Sequence, residues 1–277
     1  MNISISNIAW DIKDDDAVCS LLQRYQVHAI DIAPGKYFPD PKTASAKDIL
    51  AVRSYWEAHE ISLVGMQSLL FGTQGLNLFD EQSVQQKMLQ HLHAVSRIAA
   101  GLGITRLVFG SPKNRYRPNI SDEESRAIAH HFFTLLGDIA SQEGVIICLE
   151  PNPECYGANF MTSSAETADM VRLVNHSAIK MQLDTGAIAI NGEDVAQVIN
   201  GNEDIIGHVH LSEPNLIALG RSDVNHADVA AMLNRLLPQH VATIEMLVSK
   251  NENALMVIDE SLAFANEHYR NSLGDAS

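Results

Sequence analysis

Four residues in the second half of the chain have the types and spacing to hold a metal ion. Glu150 ends the run IICLE, Asp184 ends MQLD, His210 stands in GHVHLSEP and Glu245 in ATIEML. Each lies at or near the end of a short apolar run. A lone carboxylate in such a run is costly to bury. Four convergent donors change that balance, because one divalent cation satisfies all of them. Three carboxylates and one imidazole suit a fairly hard ion, Mn²⁺ or Mg²⁺ first, with Zn²⁺ or Co²⁺ as alternatives. Such an ion keeps positions open for water or substrate oxygens. Singly, each residue has a plainer reading. Glu150 pairs with a neighbouring Arg or Lys, Asp184 caps a turn or helix, Glu245 pairs with Lys250, and His210 is a satisfied rim histidine. All four plain readings must hold together to remove the site. His208 shares a strand face with His210 because side chains alternate with period two. His210 is nearer the strand's end and is taken as the ligand. His208 lies one layer deeper, as a packing or supporting residue behind the substrate space.

These donors meet only if the elements carrying them end on one rim. Strands are expected at residues 3–10, 27–32, 62–68, 106–109, 145–150, 179–184, 205–211 and 242–246. Helical periods fill 45–59, 80–102, 163–174, 193–199, 228–237 and 253–273, with a further helix opened by a capping box at Ser121 and Glu124. Strands alternating with helices imply parallel pairing through right-handed crossovers. Eight such units point to an α/β fold, a (β/α)8 TIM barrel, as one domain over residues 1–277. Active sites of such barrels form where strands end and the following loops begin. The long connection 69–80 is expected either as a lid or as a packed surface loop.

Other residues near that mouth suit substrate contact. Lys113 and Arg115, in GSPKNRYR after the fourth strand, can clamp a phosphate or carboxylate together with Arg117. Gln67 and Ser68 can bond sugar hydroxyls, and Arg221 and His226 lie beyond the seventh strand. Trp10 offers an apolar face to a sugar ring or belongs to the core. The 277 residues carry 19 Lys and Arg against 34 Asp and Glu, a net charge of -15. That balance argues against a nucleic-acid partner, which calls for a basic footprint. Cys19, Cys148 and Cys155 are few, odd in number and without a CxxC, so a disulfide framework is not expected. No signal-like segment opens the chain, and no apolar run nears the ~20 residues of a membrane span. A soluble, cytoplasmic protein with no membrane partner is expected. Assembly as a homodimer or homotetramer stays open. No GxGxxG follows a strand and no phosphate-binding GxxxxGK[ST] is present.

The segments LEPNP, QLDTGA, GHVHLSEP and TIEML, in this order, resemble the xylose-isomerase-like barrel superfamily. It includes sugar isomerases, ketose 3-epimerases, inosose dehydratases and the family 2 apurinic endonucleases. The sugar phosphate isomerase/epimerase branch is the nearest in pattern. The resemblance implies metal ligation by Glu150, Asp184, His210 and Glu245. It also implies that Glu150 and Glu245 are catalytic, flanking a substrate carbon that loses and regains a proton through an enediolate. The implied substrate is a small-molecule carbohydrate, free or phosphorylated. A dehydratase of the inosose or dehydroshikimate type on the same site is the alternative, and a non-catalytic sugar-binding barrel is a further one. Three departures stand out. Ala187 occupies the place of a histidine that ketose 3-epimerases carry. Pro151-Asn152-Pro153-Glu154 replaces their Asn-Arg-aromatic-Glu run. No arginine stands in 211–216. An endonuclease would need further histidines, and 66–69 carries none.

Overall fold

A computed structural model describes residues 1–270. Eight parallel strands pair in sequence order and close on themselves: β1 (Asn2–Ser6), β2 (Ala29–Ile32), β3 (Ser62–Met66), β4 (Arg106–Phe109), β5 (Ile146–Leu149), β6 (Ile179–Asp184), β7 (Ile206–Ser212) and β8 (Val241–Glu245). Closure is made by β1 against β8, with Ile3 beside Ala242 and Ile5 beside Ile244. Helices fill the crossovers, as parallel pairing requires. The strands are rich in Ile, Val and Leu and are buried almost throughout, which suits strands covered on both faces.

The helix ends follow from local chemistry. Ser45 and Asp48 form a reciprocal capping box before Ala46–Ala58. Ser121 accepts from the Glu124 amide at the head of Asp122–Glu143. Gln82–Leu102 stops at Gly103, whose φ of 80° fits a residue without a Cβ.

The expected elements need correction in places. β1 ends at Ser6, not at residue 10, because Asn7–Ala9 turns into 3-10 helix with the Ser6 hydroxyl accepting from the Ile8 amide. Trp10 is buried there, and its indole donates to Asp15 at 2.7 Å, so it belongs to the core. Three helices were not anticipated, Asp15–Arg24, the short Pro34–Tyr37 and Thr185–Asn191. The last helix is described as Ala254–Tyr269, and residues 271–273 of its expected span lie outside the described residues.

The connection after β3 is a packed wall. Asn114 donates from its side chain to the Leu76 carbonyl at 2.7 Å and accepts through its own carbonyl from the Leu78 amide at 2.9 Å. Asn77 donates to the Lys113 and Tyr116 carbonyls, and the Lys113 ammonium donates to the Thr73 carbonyl. These bonds tie two neighbouring connections into one body. Among the described residues, no helix is long and apolar enough to cross a membrane.

Candidate active site

The barrel register delivers the four donors to one rim. Glu150 directly follows β5, Asp184 closes β6 and Glu245 closes β8. His210 lies beside Asp184 across the β6–β7 pair, and Glu245 lies beside Ser212 across β7–β8. One ligand atom from each of Glu150, Asp184, His210 and Glu245 lies within 4.8 Å of the others. The His210 Nδ1 is 3.1 Å from Glu150 Oε1 and 3.2 Å from Glu245 Oε2. His210 is fully enclosed, and the three carboxylates are 7–9 % exposed.

Neighbours set each donor's orientation. The two Asp184 oxygens accept from the Ala187 amide at 2.6 Å and the Ser212 hydroxyl at 2.7 Å. Asp184 thus also caps the helix Thr185–Asn191. Gln67 donates to Glu245 through its side-chain amide. Gly110 leaves room for Glu150, since a Cβ there would collide with Oε2.

Electrostatics show an excess of buried negative charge. Burial, reinforced by Glu150 and Glu245, pushes the Asp184 carboxyl up to about 8. Burial alone would push the His210 imidazole down, but the Glu245 carboxylate and the contact with Glu150 hold it well above its usual range. Burial likewise opposes ionisation of Glu245, yet His210 holds its carboxyl below the ordinary value. Three carboxylates gathered around one imidazole form a donor set that fits a divalent cation, which supplies the missing positive charge.

Two cavities of about 420 and 400 Å³ meet at this point, both walled by Gly110, Glu150 and Glu245. The first runs between the connections after β3 and β4, past Gln67, Leu70, Phe71 and Lys113. The second runs past Asn152, Tyr156, Asp184, Ala187, Ser212 and Leu247.

The remaining expected contacts divide. Lys113 and Gln67 line the first cavity. Arg115 does not reach either one: the single 3-10 turn Lys113–Arg115 directs Lys113 outward and Arg115 inward, where its guanidinium is fully enclosed. Burial lowers its pKa to about 10, against an opposing pull from Glu150 and Glu166. Arg117 pairs with Asp122 on the surface. Arg221 is held by Glu252 and Glu260, away from both cavities. His208 lies beneath His210, with Nε2 2.7 Å from Asp31 Oδ2. His226 opens the helix His226–Leu236 as a buried latch, bonded to Glu213 at 2.8 Å and to the Tyr269 hydroxyl. Arg115, Arg221, His208 and His226 thus line neither cavity.

Two residues not picked from the sequence bear on the site. Asp31, on β2, is fully buried beside His208 and His210. Burial opposes its ionisation, but these two histidines hold its carboxyl well below the usual range. Glu213 is buried and accepts from the Gly220 amide, Ser222 and His226. Its burial favours the neutral acid, but these bonds, led by His226, lower its pKa from the ordinary 4.5. A depressed carboxylate stabilises the fold above its unfolded pKa and loses that contribution as pH falls through the folded one. Relative to Glu213→Gln, the native chain should gain stability above pH ~5 and converge with the variant toward pH ~3. Urea midpoints across that range measure it, and a pH-independent gap would contradict the assignment.

A family model described as xylose isomerase-like TIM barrel matches residues 20–268. A D-psicose 3-epimerase of Enterocloster bolteae is 28% identical over 93 residues, which cover 34% of this chain and 31% of that relative. The match thus spans about a third of the relative's length. The crystal structure of D-psicose 3-epimerase with D-tagatose from Clostridium cellulolyticum H10 superposes with a TM-score of 0.81 at 15% identity, over 98% of this chain and 100% of that one. An IOLI protein with a binding zinc atom superposes at 0.74 and 17% identity, over 97% and 98%. At these identities the superpositions speak for the fold alone, whereas the family model spans most of the chain. The closed barrel and the matched residues agree: this chain belongs to the xylose isomerase-like TIM-barrel family.

Proposed function

We propose that the protein is a divalent-metal-dependent isomerase or epimerase of a sugar or sugar derivative, working by proton abstraction beside a carbonyl. One observation carries this reading: Glu150 and Glu245, from different strands, both approach His210 Nδ1, at 3.1 and 3.2 Å, and both wall both cavities. A substrate carbon lying between them meets a carboxylate on each face. One takes the proton and the other returns it from the opposite side. Gln67 orients Glu245, and Gly110 gives Glu150 its space. Glu150, Asp184, His210 and Glu245 would hold the ion, with Mn²⁺ or Mg²⁺ favoured by the carboxylates and Zn²⁺ or Co²⁺ as alternatives. When bound, the ion supplies polarisation of the carbonyl and compensates the charge that develops on its oxygen. The zinc in the IOLI structure and the ketohexose in the epimerase structure support this direction.

Solvent exchange tests it. Ketoses, their phosphates and inososes are incubated in D₂O with the protein and Mn²⁺. Deuterium entering the carbon next to the carbonyl, seen by NMR, is the expected result. Retained water in the product marks an isomerase or epimerase, and its loss marks a dehydratase. No exchange with any of these substrates, in metal-loaded protein, would overturn the reading.

Among the described residues, Lys113 is the one cation walling the first cavity. If the productive substrate carries a phosphate there, Lys113→Ala should raise KM by about 10-fold or more, the scale of a hydrogen bond to a charged group. With a neutral sugar the change should stay within about 3-fold, since only a rim contact is lost. Steady-state kinetics on the matched pair of substrates decides it.

A further inference from the structure

Beneath the four donors lies a second cluster, Asp31, His208 and His210, which joins opposite sides of the barrel. Asp31 comes from β2 and the histidines from β7, so their contacts cross the barrel interior. Asp31, His208, Ser4 and Thr243 are all buried. His208 Nε2 is 2.7 Å from Asp31 Oδ2 and 3.3 Å from the Thr243 hydroxyl, which in turn bonds Ser4. At 2.7 Å the Asp31–His208 contact is a hydrogen bond, and in this structure the cluster stands as a hydrogen-bonded support beneath the four donors.

His210 links this support to the mouth. Its Nδ1 faces Glu150 and Glu245, and its Nε2 faces Asp31 Oδ2 at 3.8 Å. Two buried atoms here have no hydrogen-bond partner, His210 Nε2 and Asp31 Oδ1. Buried polar groups in folded proteins are overwhelmingly paired. The unmet His210 Nε2 stands 3.8 Å from Asp31 Oδ2, and the Asp31 carboxylate keeps an unmet oxygen of its own, so this carboxylate is the natural partner for the ring. The backbone has also been shaped for this carboxylate. A Cβ at Gly65 would collide with Oδ1, Oδ2 and Cγ of Asp31.

We infer that Asp31 is a positioning residue for His210: its carboxylate receives the Nε2–H and so presents Nδ1 to the metal. Metal-binding histidines are commonly fixed in this way, by a carboxylate on the ring nitrogen opposite the ligating one. His208 holds Asp31 from the far side and is itself met by Thr243, so the ring angle of His210 is set by β2 and β7 with support from β8. Gly65 is part of the same device, because any side chain there displaces Asp31. This inference rests on the metal site proposed above.

The test uses the full chain with Asp31→Asn, which keeps the shape and removes the charge, and Gly65→Ala, which keeps the charge and moves it. Calorimetric titration with Mn²⁺ should show affinity lowered by about 10- to 100-fold in both, the range for such supporting residues. Independently, ¹⁵N-histidine NMR of metal-free wild type should show a slowly exchanging His210 Hε2 proton that is lost or strongly shifted in Asp31→Asn. Metal affinity within about 3-fold of wild type, with an unchanged Hε2 signal in folded Asp31→Asn, would overturn the inference. If wild type itself takes up no Mn²⁺, the metal reading fails by that result alone. The Hε2 signal then decides whether Asp31 positions His210. Should Gly65→Ala fail to fold, Asp31→Asn carries both readouts.

Discussion

Glu245→Gln is expected to lower kcat by about 10²- to 10⁴-fold, the usual scale for removing a general acid–base group. Gln fills the same volume and can still meet Gln67 and His210, so the barrel should keep its stability. The informative measurement is directional. If Glu150 and Glu245 serve opposite faces, Glu245→Gln should lose deuterium exchange from one epimer before the other, and Glu150→Gln should show the reverse preference. Equal loss in both directions would mean that both carboxylates act chiefly as ligands. Turnover within about 3-fold of wild type in either variant would remove the acid–base roles altogether.

Purified protein should carry near-stoichiometric Mn, Co or Zn, or take up Mn²⁺ or Mg²⁺ on titration, and Asp184→Ala/His210→Ala should do neither. The expected effect is large because the four donors stand at or near strand ends of one closed barrel. A ligand that binds only the folded state adds about 2.7 kcal/mol at 100 times its Kd. Chelation should therefore lower the melting temperature of wild type and leave the double variant unchanged. Asp184→Ala also removes the cap of Thr185–Asn191, at a cost of about 1 kcal/mol. Asp184→Asn separates the two effects, since its amide oxygen still accepts from the Ala187 amide. Elemental analysis with no metal in wild type, before or after titration, would leave the carboxylate cluster without its explanation.

The barrel was legible because its signals are local. Residues 106–109 and 179–184 are short apolar runs between turn residues, and both match their strands. ISISNIAW kept its apolar alternation past the real end of β1, because the cap made by Ser6 leaves no mark in the pattern. TGAIAIN reads as apolar alternation too, and only the Asp184 cap reveals its helix. DDDAVCSLLQR hid the first helix behind three aspartates. The four donors were readable since each stands at or near the end of its own strand. Asp31 was not, because its meaning depends on β2 facing β7 across the barrel, a contact between residues 177 positions apart. An unusual aspartate inside AIDIAP, followed by the glycine in SLVGM, was the available signal. The inward turn of Arg115 was hidden for a different reason. Within a three-residue turn, nothing in the residue types says which side chain faces in.

The wall formed by 69–80 and 113–116 has a consequence for binding. Asn77, Asn114 and Lys113 fix its backbone through five hydrogen bonds that do not involve a ligand. The conformational entropy of that segment is therefore lost when the chain folds, not at each encounter with substrate. A preorganised wall leaves more of the contact energy for affinity and orientation. It also restricts what the first cavity can admit, because a rigid aperture discriminates by shape at entry. Phe71, 84 % exposed, stands on the lining of that cavity.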